Sequence, residues 1–180
     1  EKYNEALEKY ESARTISEGQ DTLVWMDALT NIGSINNRLG NFQESIDYYQ
    51  ESLVLQQAIG NEKAQFAILS NIGLANSQLD DQDGALQTYL DAIERAKAME
   101  LPAWIAHFQS KIGTLYYSKG YYSQSIAAYQ DALVIRDSMQ NTRMVAQLLF
   151  RIGRIHMQSE DEALALDYFN RSLETYQQID

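Results

Sequence analysis

Isoleucine followed by glycine recurs four times in this chain, as Asn31-Ile32-Gly33, Asn71-Ile72-Gly73, Lys111-Ile112-Gly113 and Arg151-Ile152-Gly153. Each glycine lies 40 residues after the last, with no slippage. A fixed interval of this length marks one supersecondary unit, repeated so that each copy buries its apolar face against the next. This rules out a single central core and prescribes a stack of similar layers.

Further columns appear when the segments are aligned on their glycines. Twelve residues on stand Ser45, Ala85, Ser125 and Ala165; sixteen on, Tyr49, Tyr89, Tyr129 and Phe169; nineteen on, Ser52, Ala92, Ala132 and Ser172. Two columns of small residues and one of rings predict helices in close approach, with a ring wedged beside the contact. Apolar residues recur at threes and fours, the period of an amphipathic helix. Breaks fall at Gly19-Gln20-Asp21, Gly40-Asn41, Gly60-Asn61, Asp80-Asp81, Leu101-Pro102, Gly120-Tyr121, Gln140-Asn141 and Glu160-Asp161. Gly suits the left-handed position just past a helix end, and a following Asn or Asp can accept from the next helix's free amides. Asn41 with Glu44 has the spacing of a capping box, and Pro102 suits a first helical turn. The prediction is nine helices over 2–18, 21–39, 42–59, 62–79, 82–99, 102–119, 122–139, 142–159 and 162–178. Each is roughly 26 Å long at about 1.5 Å per residue.

Residues 1–19 are a half repeat containing a second helix only. Tyr3, Ala6, Leu7, Tyr10 and Ala13 have the spacing of Phe42, Ser45, Ile46, Tyr49 and Ser52. Full repeats occupy 20–60, 61–100, 101–140 and 141–180, making one array of about 4.5 repeats. The missing first half and the start at Glu1 are what a fragment of a longer protein would show.

Composition narrows the function classes. The net charge of −11 argues against sequence-independent binding to nucleic acid or anionic lipid. With no cysteine, disulfides and thiolate metal sites are excluded, and no apolar run is long enough to span a bilayer. The compartment stays open, between the cytoplasm and an extracytoplasmic sensor domain. Asp80-Asp81-Gln82-Asp83-Gly84 fails as a calcium loop, because with Gly84 sixth the first and twelfth ligands are Leu79 and Leu90. His107 and His156 lie 49 residues apart on different helices with no carboxylate at ligand spacing. No catalytic constellation, metal site or cofactor is expected.

These columns resemble the tetratricopeptide repeat, whose pattern runs Leu-Gly, aromatic, turn, then Ala, aromatic and Ala. The Ile-Gly pairs stand for Leu-Gly, and Tyr49, Ala85 with Tyr89 and Ala92, Tyr129 with Ala132, and Ala165 with Phe169 stand for the second helix. The period is 40 rather than 34, Asn36 and Asn76 replace the aromatic that Tyr116 supplies, and no proline closes a repeat. The longer period is similar to the subclass in kinesin light chains, in the cell-polarity adaptor of heterotrimeric G proteins, and in bacterial sensor and transcription regulators. The resemblance implies an all-α, right-handed solenoid of antiparallel helix pairs with first helices lining a concave face. It also implies no catalysis, a scaffold or sensory role, and capture of extended or helical peptides in the groove.

Helical spacing picks out the groove stripe. It takes in Asn31, Ser34 and Asn37; Asn71 and Leu74; His107, Lys111, Thr114 and Tyr117; and Phe150, Arg151 and Arg154. A polar stripe opposite an apolar one is also what any solvated helix shows. Two features favour more. The resemblance implies that Asn31 and Asn71 hold a peptide backbone, for which an amide's paired donor and acceptor suit. Lys111 and Arg151 then occupy the same column with Arg154 near. Residues 21–100 carry 12 acids and 4 bases, or −8, whereas residues 101–140 carry 2 acids and 3 bases, or +1. An acidic segment or free carboxylate is therefore the expected partner feature. The family's chaperone-tail clamp is mostly missing, since its places read Thr30, Ser34, Asn71, His107 and Lys111. The alternative is a homodimer through terminal helices, with Leu166, Leu173 and Tyr176 exposed on the last.

Overall fold

The structure is a computed structural model that describes residues 2–179. Among the described residues there are nine helices and no strand: α1 Lys2–Ser17, α2 Thr22–Leu39, α3 Phe42–Ala58, α4 Glu62–Gln78, α5 Gln82–Ala98, α6 Pro102–Ser118, α7 Tyr122–Ser138, α8 Thr142–Gln158 and α9 Glu162–Gln177. Turns of two to four residues join them, which makes successive helices antiparallel. The expected spans run one residue too far at most C-termini, because the last predicted residue is the non-helical cap. Asp21 likewise sits before α2 rather than in it.

One hydrogen bond closes every turn from Gly40 onward. The amide after the left-handed residue returns to the carbonyl five residues earlier: Asn41 to Asn36, Asn61 to Gln56, Asp81 to Asn76, Leu101 to Ala96, Tyr121 to Tyr116, Asn141 to Arg136 and Asp161 to His156, all within 2.8–3.0 Å. This is the Schellman closure. Glycine supplies the left-handed residue at Gly40, Gly60 and Gly120, while Asp80, Glu100, Gln140 and Glu160 adopt the same conformation at φ of 54–62°. Asp21, Asn61, Asp81, Asn141 and Asp161 accept from amides of the helix that follows. Asn41 does not, contrary to the capping-box expectation. Its Nδ2 donates instead to Oδ1 of Asn36 at 3.1 Å, and Asn36 is buried at the place where Tyr116 supplies an aromatic in a later repeat. A buried amide oxygen needs a donor, and Asn41 supplies it.

Three of the column glycines mark helix crossings. A Cβ on Gly33 would lie 2.9 Å from two Tyr49 ring carbons, one on Gly113 2.7 Å from the Tyr129 ring, and one on Gly153 2.8 Å from the Phe169 ring. The small columns take part in these contacts. Ser45 and Ser125 donate to the carbonyls of Gly33 and Gly113 at 2.8 and 2.6 Å. Ser52 donates to Met26 O at 3.3 Å and Ser172 to Ala146 O at 2.8 Å, each seven residues before a column glycine.

The chain divides into two compact units, one up to Thr88 and one from Tyr89 onward, with the division inside α5. In the first unit Ile46 and Tyr49 of α3 pack with Ile68, Ile72 and Ala75 of α4. In the second, Ala106 of α6, Tyr129 and Ala132 of α7, and Leu148, Ile152 and Ile155 of α8 form a buried cluster. Each core is thus a layer between neighbouring helices.

Candidate functional site

In the first unit the stripe residues lie on α2 and α4, which touch. Asn31 is half-buried, and its Nδ2 donates to its own helix at Asp27 O, 2.8 Å away, which leaves Oδ1 and one N–H for a ligand. Asn71 holds the equivalent, half-buried place on α4, and Leu74 beside it is exposed. Ser34 is less available: its hydroxyl donates to Thr30 O and accepts from the Tyr49 hydroxyl at 3.0 Å. Asn37 Oδ1 is buried and accepts no hydrogen bond.

In the second unit α6 and α8 carry the cations. Lys111 and Arg151 hold equivalent positions, and their charges are close enough to interact. Burial, then the Arg151 guanidinium, holds the Lys111 ammonium below the ordinary lysine range. His107, one helical turn before Lys111, is pushed down to about 4 by burial, then by Lys111 and Arg136. Arg151 lies over the Tyr129 ring at 5.9 Å and Arg154 over the Tyr117 ring at 5.6 Å. Such contacts hold a guanidinium in place without neutralising it. Among the described residues no carboxylate pairs with Lys111, Arg151 or Arg154.

The same face contains a cavity of about 200 Å³ lined by Thr114, Tyr117, Tyr129, Arg151 and Arg154. Thr114 Oγ1 donates to Ser110 O at 3.0 Å and meets the Tyr129 hydroxyl at 2.9 Å, so the shared hydrogen is the tyrosine's. A second cavity of about 380 Å³ is lined by Gln147, Phe150, Arg151, Arg154 and Tyr176. Of the expected residues, the structure thus brings Thr114, Tyr117, Phe150, Arg151 and Arg154 to adjoining cavities, with Lys111 charge-coupled to Arg151. Tyr129 and Tyr176 line the cavities too, although the sequence marks Tyr129 as a wedged ring and Tyr176 as part of an exposed terminal face. Among the described residues no group of three His, Asp or Glu is arranged to hold a metal, and no helix is long and apolar enough to cross a membrane.

Two sequence-family models, both described as Tetratricopeptide repeat, match residues 26–98 and 110–178. The chain belongs to the tetratricopeptide-repeat family. Solved structures agree on the fold. BtubC (BKLC) from P. vanneervenii is 19% identical, with a TM-score of 0.78 over 99% of this chain and 74% of that one. A Rap protein complexed with competence and sporulation factor is 18% identical, with a TM-score of 0.77 over 97% of this chain and 49% of its own. The Rap conjugation gene regulator of plasmid pLS20, in complex with the Phr* peptide, is 19% identical, with a TM-score of 0.71 over 88% of this chain and 44% of its own. This repeat array therefore spans about half the length of either Rap protein. The tetratricopeptide columns account for the glycine, ring and small-residue positions, while the cations of α6 and α8 lie outside those columns.

Proposed function

We propose that this chain is a non-catalytic interaction module that captures a partner peptide on its first-helix face. In the first unit Asn31 and Asn71 hold extended backbone. In the second, Lys111, Arg151 and Arg154 hold an acidic segment or a free carboxylate. The observation that carries this reading is the set of three cations on one face with no acidic partner among the described residues, in a chain whose net charge is −11. Uncompensated like charge costs free energy in the free protein, and an anionic ligand relieves it. The two Rap neighbours were each solved with a bound peptide or factor, which supports the peptide class. The same likeness supports a sensory or scaffold role in a bacterial signalling protein.

The test is charge reversal. With a pool of acidic peptides at low salt, Lys111→Glu with Arg151→Glu is expected to abolish binding, and added salt to weaken the wild type. Unchanged affinity in the double variant contradicts the reading.

One observation favours a second reading, self-association. Leu166 and Leu173, two turns apart on α9, are 61% and 58% exposed. Sedimentation across a range of concentrations decides it: a monomer throughout removes this reading.

A further inference from the structure

The second unit carries opposite charge on its two sides. The first helices α6 and α8 hold 4 Lys and Arg residues and no acid, whereas the second helices α7 and α9 hold 5 acids against 2 arginines. One of those arginines, Arg136, is turned inward, buried and donating to Ala103 O at 2.8 Å. Between α7 and α9 lies a groove of about 370 Å³, with Val145 and Leu149 of α8 beneath it. At about 3.6 residues per turn these two residues sit on the opposite side of α8 from Arg151 and Arg154. The groove is therefore separate from the cationic face, and it is formed between successive helices of the array.

One wall, from α7, is apolar: Leu133 and Val134 line it, and Val134 is 71% exposed. Glu174 of α9 holds the place of Val134 one repeat later and lines the facing wall. Asp137, one turn after Val134, adds a second carboxylate. Among the lining residues Arg171 is the one cation, and its charge is engaged on its own helix. Its Nη1 lies 3.4 Å from Asp167 Oδ2, and its guanidinium lies 4.9 Å over the Tyr168 ring. Among the described residues neither Asp137 nor Glu174 forms an ion pair. We propose that this outer groove is a second docking site, and that its occupant is a basic amphipathic segment of a partner protein. Aliphatic side chains lie against Val134 and Leu149, and Lys or Arg meets Asp137 and Glu174. The inference goes beyond the peptide-capture reading and does not depend on it.

The argument is one of charge and apolar complementarity together. An aliphatic side chain over Val134 removes apolar surface from water, and a cation beside it offsets the two carboxylates. Simpler occupants meet only half of the surface. A polyamine matches the carboxylates and leaves Val134 hydrated. An uncharged apolar segment covers Val134 but dries the carboxylates without a partner, which costs free energy. An anionic lipid surface is repelled. Lys and Arg suit both parts, because their alkyl stems lie along apolar surface while the charged heads reach acceptors. The same charges repel the acidic segment that α6 and α8 attract. The two faces of the second unit therefore take partners of opposite charge and can hold them at the same time.

The test uses the whole chain and pools of decapeptides, acetylated and amidated so that no terminal charge contributes. The first pool carries two Leu and two Lys in shuffled places, the second has Ser in place of Leu, and the third has Gln in place of Lys. The first pool is expected to bind about fivefold or more tighter than either of the others, the scale of two exposed ion pairs or of two covered aliphatic side chains. Asp137→Asn with Glu174→Gln brings the first pool down to the third. Val134→Ser, at an exposed position, brings it down toward the second. Glu160→Gln with Glu162→Gln removes the same charge around the start of α9 and leaves binding unchanged. Equal binding of the first pool and either partial pool overturns the proposal. An equal effect of the two double carboxylate variants also overturns it, because the attraction is then diffuse. If the wild type self-associates in sedimentation and Asp137→Asn with Glu174→Gln abolishes this, the groove takes a second copy of the chain and the partner assignment is overturned. Acidic pools report separately on α6 and α8, so failure here leaves the first-helix reading standing.

Discussion

At the scale of single residues, Gly33, Gly113 and Gly153 are fixed by rings. Alanine at position 113 would gain about 1 kcal/mol of helix propensity. Its Cβ, however, would lie 2.7, 2.8 and 3.0 Å from atoms of the buried Tyr129 ring. Forced repacking of this kind costs about 1–3 kcal/mol, so it outweighs the gain. Gly113→Ala is expected to lower unfolding stability by about 1 kcal/mol, read by denaturant titration. A stabilised variant contradicts the wedge. His107 gives a second residue-scale test. Its folded value is about 4, against 6.5 for the free group, because burial, Lys111 and Arg136 all disfavour the charged ring. The unfolded chain therefore takes up this proton first as pH falls. The contribution is intact above about 6.5 and is lost progressively down to about 4. His107→Gln should flatten the stability profile across that window by roughly 1–3 kcal/mol. An unchanged slope contradicts the assignment.

At the scale of elements, the turns show what the sequence makes visible and what it leaves hidden. Gly40, Gly60 and Gly120 mark helix ends because glycine takes positive φ without a Cβ penalty. Asp80, Glu100, Gln140 and Glu160 close the same turn against that penalty, and at Gln140 and Glu160 the packed helices on either side fix where the chain must reverse. The break was legible from Asn, Asp or Pro next to it; the left-handed residue was not. Gln140→Gly should therefore raise the melting temperature by relieving a cost of about 1 kcal/mol, reduced by glycine's greater freedom in the unfolded chain. Gly120→Ala should lower it. The reverse order in a thermal scan contradicts this account of the turns. Asn41 shows the opposite limit. Local spacing gives it a capping role, but the buried Asn36, five residues earlier, claims its side chain.

At the scale of the whole molecule, the 40-residue register conveyed nearly all of the helix order, because each column repeats one contact. The site was legible in part. Spacing placed Lys111 and Arg151 in one column and Thr114 with Arg154 in the next, and the structure brings them to one face of the second unit. Tyr129 escaped because a ring needed for wedging on Gly113 also presents its hydroxyl beside Thr114, which helical period does not encode. Tyr176 escaped because it belongs to a second helix, α9, whose contact with the α8 cavity depends on how the two helices pack. The central claim is that an acidic or carboxylate-ended peptide binds the cationic face of α6 and α8. Backbone chemical-shift mapping with an acidic hexapeptide pool tests it most directly. The prediction is that shifts concentrate on residues 107–117 of α6 and 147–154 of α8. Shifts centred instead on the exposed residues Val134, Leu166 and Leu173 of α7 and α9 would contradict it.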